Sequence, residues 1–309
     1  MTMVDGDPIP TPLVGGLAPG QEPGPGNDGN PSVPRPPLIV PSAPDWRVAP
    51  GAPVDLSSID ADSTGDVTDR TAAEEQTKAH RGRIVGWQER LYAEDRQSLL
   101  VIFQALDTGG KDGAIRRVFQ GVNPQGCRVW SFKVPSLEEQ SHDYLWRYHA
   151  KAPSRGMISV FNRSHYEEVL VVRVRDLVPE AEWRPRFEEI NDFERMLVRN
   201  GTTILKFYLH ISREEQRKRL QKRLDRPDKH WKFDPGDLRE RERWDQYQAA
   251  FEEAISRTST DEAPWHVVPA NRKWYRDLVV SRTIADTLER MDPQWPAPAE
   301  GLEGLVVPE

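Results

Sequence analysis

The segment FQALDTGGKDGAIRRVF at 103–119 constrains the fold more than any other part of the chain, because an apolar run breaks at two glycines and a lysine and then resumes as a helical pattern. The run SLLVIFQ at 98–104 has the length and continuous apolarity of a strand buried on both faces. Residues 107–113 read as a tight turn, and Ala114 onward as a helix whose N-terminus faces that turn. Backbone N–H groups of the turn, the positive end of the helix and the Lys111 ammonium converge on one place, which suits an anion with several oxygens. Gly109, Gly110, Asp112 and Gly113 complete this candidate phosphate-binding turn. The match to the pattern G-x-x-x-x-G-K-[ST] is partial, since Ala105 stands at the first glycine and Asp112 at the metal-binding hydroxyl. A bound Mg²⁺ would then need another hard oxygen ligand, and Asp107 is the nearest candidate.

Composition separates a tail from a core. The first 53 residues carry 14 of the 27 prolines and almost no apolar periodicity, so 1–45 is expected to be a disordered, acidic tail. Residues 1–80 hold 4 basic and 12 acidic residues, which leaves the remainder near neutral although the whole chain carries −7. About 230 residues are enough for one domain with a sizeable core. The opening MTMVDGDPIPTPLVGG has neither a basic region nor a continuous apolar stretch, and no run of 18 apolar residues occurs, so no membrane association and a cytoplasmic location are expected. Cys127 is the only cysteine, which excludes intrachain disulfides and thiolate zinc clusters.

From residue 71 onward the pattern alternates. An amphipathic helix at 71–93 is followed by strand candidates at 98–104, 128–132, 157–162, 202–210 and 266–269, with helices expected around 114–120, 136–149, 180–199, 212–224 and 272–290. Strand alternating with helix predicts a parallel, doubly wound α/β sheet. Ser212 and Glu215 have the spacing of a capping box at the start of a basic helix.

Three further segments carry candidate chemistry. Residues 213–232 hold nine Lys/Arg against four Asp/Glu, more cations than local acids can pair, and the segment suits a polyanion if it is more than a solvated helix. Asn162 and Arg163 end a predicted buried strand, where ligands of open α/β sheets bind, and the Arg163 guanidinium is a fixed fork for phosphate oxygens. His165 and Tyr166 follow, either contacting ligand or capping the sheet. In KVPSLEEQSHDYLWR at 133–147, Asp143 and Arg147 have the spacing of an i,i+4 ion pair, although Asp143 would complement Asp107 if Mg²⁺ bridges two phosphates. Asn271 and Arg272, in the loop after the last strand, are candidate neighbours of a nucleotide.

Together these segments resemble the family-2 polyphosphate kinases, through LDTGGKDGAIRRVF, KVPSLEEQSHDYLWR, VFNRSHYEEVLVVRV, TTILKFYLHIS, KHWKFDPGDL and TSTDEAPWHVVPANRKWYR, over roughly residues 46–293. The resemblance implies a P-loop kinase-like (thymidylate-kinase-like) α/β domain with a helical lid at about 213–240, followed by a tail at 294–309. It implies phosphoryl transfer from inorganic polyphosphate to AMP or ADP, with Mg²⁺ or alternatively Mn²⁺. The FNRSHYE and HDYLWR forms resemble the subfamily that phosphorylates AMP and ADP. Asp107, Lys111, Asp143, Asn162 and Arg163 map onto the active-site motifs, with Asp107 and Asp143 holding metal, and Lys218, Lys222 and Arg223 onto the lid.

Two rival functions share parts of this pattern. An ATP-dependent nucleotide kinase would have the same fold with another donor. A nucleic-acid-binding module would use 213–232, but the near-neutral core and the missing aromatic ladder argue against it, so no nucleic-acid partner is expected. A homo-oligomer is expected by analogy with parallel α/β kinases.

Overall fold

The computed structural model describes residues 46–302 and 304–308, so the proline-rich segment 1–45 lies outside the described residues. In chain order the helices are α1 (Arg70–Glu94), α2 (Lys111–Val118), α3 (Leu137–Gln140), α4 (Trp146–His149), α5 (Val171–Val174), α6 (Glu180–Trp183), α7 (Arg186–Arg199), α8 (Arg213–Leu224), α9 (Gly236–Glu242), α10 (Trp244–Thr258) and α11 (Lys273–Met291). The strands are β1 (Ser98–Gln104), β2 (Cys127–Ser131), β3 (Ile158–Asn162), β4 (Thr202–His210) and β5 (Trp265–Pro269).

All five strands pair in parallel, in the order β2-β3-β1-β4-β5. Central β1 is buried along its whole length, the state its unbroken apolar run dictates. Because successive side chains point to opposite faces, Leu99, Val101 and Phe103 join a core under α1, α2 and α11, while Leu100 and Ile102 join a second core under α7 and α10. Because the strands are parallel, the loops that follow them open on the same C-terminal edge, where ligands of open α/β sheets bind. On the β5 edge, Trp46 and Val48 exchange backbone hydrogen bonds with Val267 and Trp265 (both 2.8 Å), which seats a short arm there ahead of α1.

Most strand boundaries fall within a residue or two of those expected, but three expectations change. The helix expected at 136–149 is broken into α3 and α4, because the Asp143 carboxylate accepts the backbone N–H groups of Leu145 and Trp146 (3.0 and 3.1 Å) and so holds a turn in place of helix. Arg147 consequently pairs with Glu139 (3.3 Å) and not with Asp143. The helix expected at 180–199 is interrupted before Pro185, which precedes α7. The capping box expected at α8 is one-sided: Ser212 Oγ accepts the Glu215 N–H (3.2 Å), but the Ser212 N–H goes to Asn271 (3.0 Å) and the Glu215 carboxylate to Arg219 (2.7 Å). The reciprocal box lies at Ser136 and Glu139. Among the described residues no helix is long and apolar enough to cross a membrane.

Candidate active site

The turn after β1 is built around glycines that nothing else could replace. A Cβ on Gly109 would sit 2.4 Å from the Ala105 Cβ and 2.8 Å from the Leu106 carbonyl oxygen. Gly110 has φ +99°, and a Cβ there would lie 2.4 Å from the Arg276 guanidinium. The carbonyls of this turn are already engaged: Arg219 donates to Thr108 O and Gly109 O (3.0 and 3.1 Å), and Arg276 to Gly110 O (3.2 Å). The first-turn N–H groups of α2, which have no intrahelical partner, therefore face the cleft without competing carbonyl charge.

Lys111 begins α2, and its ammonium donates back to the Ala105 carbonyl (2.9 Å). Burial, with Arg163 close by, lowers the Lys111 pKa to about 8. An anion placed beside Lys111 would reverse that shift. Arg163 follows β3 directly, its backbone in the left-handed region (φ +64°), and its guanidinium bonds Asp107 (3.0 Å) and Glu167 (3.4 Å). A non-glycine residue in that conformation is held there by its surroundings.

The segment after β4 forms the far wall. Arg219 also donates to Ala270 O (2.7 Å) and Gln216 to Asp107 O (3.2 Å), so α8 is stapled to the turn. Lys232 pairs with Asp112 (3.4 Å), whose other oxygen accepts from the Asn162 amide (2.7 Å). Asp237, in α9, pairs with Arg223 (3.3 Å). Burial raises the Asp237 pKa, and the Asp107 charge raises it further.

The cleft has a volume of about 1430 Å³ and is lined by thirteen lysines and arginines against three aspartates. A chain whose core is near neutral thus concentrates an excess of roughly ten positive charges in one groove.

Of the residues singled out from sequence, Asp107, Gly109, Gly110, Lys111, Asp112, Gly113, Asn162, Arg163, Lys222 and Arg223 all line this cleft. Four do not. Asp143 is turned to the backbone ahead of α4, Lys218 faces outward beside Glu214 (3.9 Å), and Asn271 and Arg272 engage Asp62 (3.0 and 3.6 Å) at the base of α8. His165 and Tyr166 are fully buried and do not reach the cleft. Sequence reasoning passed over Arg219, Lys232, Asp237, Lys273 and Arg276. The signals present were Lys273 and Arg276 one helical turn apart just after the loop already singled out, and an aspartate in the KHWKFDPGD segment.

A Gly-Gly-Lys turn on the central strand of a parallel sheet, closed over by a cationic helical segment, defines the P-loop kinase-like α/β class. A family model described as polyphosphate kinase 2 matches residues 67–296. The chain is 51% identical over 263 residues to an AMP/ADP-polyphosphate phosphotransferase of Meiothermus ruber, covering 85% of this chain and 98% of that one. It is 44% identical to an ADP-polyphosphate phosphotransferase of Rhodopseudomonas palustris, over 81% of this chain and 91% of the other. The crystal structure of polyphosphate kinase 2 from Arthrobacter aurescens TC1 superposes with a TM-score of 0.79 at 44% identity, over 82% of this chain and 90% of that one. The chain belongs to the polyphosphate kinase 2 family, the family its motifs resemble.

Proposed function

We infer that this chain transfers a phosphoryl group from inorganic polyphosphate to AMP and ADP. The observation that carries the reading is the cleft, whose charge excess and volume suit two polyanions bound end to end and exceed what one nucleotide requires. The named activities of the relatives support the same donor and acceptors.

In the proposed reaction an oxygen of the acceptor's last phosphate attacks the terminal phosphorus of polyphosphate in line. A new P–O bond forms, the bridging P–O bond of the donor breaks, and the shortened polyphosphate leaves with the bridging oxygen. No protein nucleophile is needed. The Lys111 ammonium, the Arg163 guanidinium and the first-turn N–H groups of α2 stabilise charge on the equatorial oxygens, and the geometry is fixed before the reaction begins. Lys222 and Arg223 hold the donor chain along the lid, and Asn162, beside Arg163, faces the acceptor.

Reactions of this class need a divalent cation, and Mg²⁺ is the ion proposed. Among the described residues no group of three or more His, Cys, Asp or Glu side chains could hold a metal by itself. The donor set fits an ion that keeps most of its waters and takes the remaining oxygens from phosphates. Asp107 is the first carboxylate for it. Asp237, whose carboxyl feels the Asp107 charge, is proposed as the second carboxylate in place of Asp143, which caps backbone N–H groups. When bound, the ion would neutralise phosphate charge that the two substrates otherwise set against each other.

The test is donor exchange. Purified chain with AMP should form ADP and then ATP when polyphosphate is the sole donor, and chelation of divalent ions should stop it. Transfer from ATP but not from polyphosphate would make it an ordinary nucleotide kinase.

A further inference from the structure

Directly behind Arg163 lies a polar network that touches no part of the cleft. Lys206 of β4, Glu194 of α7 and His165 and Tyr166 of the turn after β3 are each 2% exposed or less. The Lys206 ammonium uses all three of its donors, on Glu194 Oε2 (2.6 Å), the Tyr166 hydroxyl (2.8 Å) and the Thr258 carbonyl (2.7 Å). Glu194 Oε1 accepts from the Tyr166 hydroxyl (2.8 Å) and pairs with His165 Nε2 (3.1 Å).

Such a network is a poor way to gain stability. Removing two opposite charges from water cancels most of their attraction, and apolar side chains of similar size would stabilise the fold as well or better. What a fully satisfied buried network does supply is a single arrangement of the elements it joins. Here those elements are β4, α7, α10 and the 165–168 turn, and that turn begins two residues after Arg163.

Arg163 needs such support, because its left-handed backbone is strained for a non-glycine residue. On one side it is held by β3, and its own N–H donates to the Phe103 carbonyl of β1 (3.1 Å). On the other, Ser164 Oγ accepts from Gln104 of β1 (3.2 Å) and from the Tyr166 N–H (3.3 Å), and the Tyr166 ring runs on to the ion pair.

We propose that Tyr166, Glu194 and Lys206 are positioning residues for Arg163: anchored through the Tyr166 hydroxyl, the buried pair fixes the turn that aims the guanidinium into the cleft. The proposal rests on the role given to Arg163 above. It identifies Tyr166, which never meets a substrate, as a determinant of turnover.

The decisive variant is Tyr166→Phe, which removes one hydroxyl and leaves the Lys206–Glu194 pair intact. Misplacing a charge-stabilising group by a fraction of an ångström should lower kcat by roughly 10-fold, with KM for nucleotide and polyphosphate within about twofold of wild type. In an Arg163→Ala background the same change should cost no more than about a further twofold, since residues acting as one unit are not additive. Glu194→Gln should behave alike where it folds; because it leaves Lys206 without its counter-ion, Tyr166→Phe alone decides if it does not. Unchanged kcat per folded Tyr166→Phe molecule with only a lowered melting temperature would overturn the proposal, as would a loss that persists fully in the Arg163→Ala background. Full activity of Arg163→Ala itself would instead overturn the role of Arg163.

Discussion

Asp112 and Lys232 meet at 3.4 Å across the mouth of the cleft, one in the first turn of α2 beside Lys111, the other at the end of the 227–232 segment. The same Asp112 carboxylate accepts from Asn162 at 2.7 Å, so a single acidic group ties together the phosphate turn, the end of β3 and the lid. An acid beside a phosphate site is unfavourable for phosphate binding unless it does something else, and we propose that here it latches the 213–240 segment as a lid. An exposed pair of this kind adds under about 1 kcal/mol of stability. Asp112→Asn should therefore leave the melting temperature nearly unchanged while lowering kcat several-fold through slower or incomplete closure. Wild-type kcat in that variant would remove the latch from the mechanism.

If Lys111 stabilises the transferred phosphoryl as proposed, it gives the reaction a pH dependence. Its pKa, lowered to about 8, means the free enzyme loses the ammonium as pH rises through about 8. The charged form is the active one, so kcat/KM should fall on the alkaline side with an apparent pKa near 8, and kcat, which reports the complex, should fall only at higher pH because bound phosphates restore the charge. Lys111→Met should fold and lose roughly 10²- to 10³-fold in turnover. Lys111→Arg, always charged, should lack the alkaline limb whatever its absolute rate; a limb that persists there belongs to another group.

The two candidate metal carboxylates separate cleanly. Asp237 lies near enough to Asp107 for the two charges to act on each other, whereas Asp143 caps the backbone ahead of α4. Asp237→Asn should raise the Mg²⁺ concentration needed for half-maximal rate by about 10-fold or more, the size of effect seen when a metal ligand's support is lost. Asp143→Asn should leave metal dependence as in wild type and lower only the melting temperature. The reverse pattern would return the metal role to Asp143.

Within the lid the basic residues are not equivalent. Lys222 and Arg223 line the cleft, while Lys218 points away beside Glu214. Replacing Lys222 and Arg223 by alanine should raise the polyphosphate KM more than the nucleotide KM, and Lys218→Ala should change neither. Wild-type affinity for long polyphosphate should fall steeply as salt shortens the Debye length from about 10 Å at 0.1 M to about 3 Å at 1 M. Equal effects of all three substitutions would indicate a diffuse field and no track.

What could be read in the chain before its structure follows from how local each cause is. The strand–turn–helix around Lys111 is contiguous, so its apolar run and its two glycines were sufficient. The alternation of strands and helices likewise set the parallel sheet. Asp143 misled because its spacing from Arg147 fits a helix, while its short carboxylate competes for backbone N–H groups and breaks that helix. Asn271 and Arg272 lie in the right loop but bind Asp62, a partner some 210 residues away that no local pattern announces. Arg276 looks like a surface cation in sequence and is in truth 2% exposed, with its charge held by Asp277 and its fork on the Gly110 carbonyl. The Lys206–Glu194 pair was illegible for the same reason: a lysine inside an apolar strand declares a partner but not which one.

The most direct test of the account follows the phosphorus atom itself. Polyphosphate labelled at its phosphorus is incubated with unlabelled AMP, a divalent cation and the purified chain, and the position of the label in the product nucleotides is read. The account predicts label in the β-phosphate of ADP and in the β- and γ-phosphates of ATP, none in the α-phosphate, and loss of transfer in Lys111→Met. Unlabelled products, or label that appears only when ATP is also supplied, would contradict direct transfer from polyphosphate in this cleft.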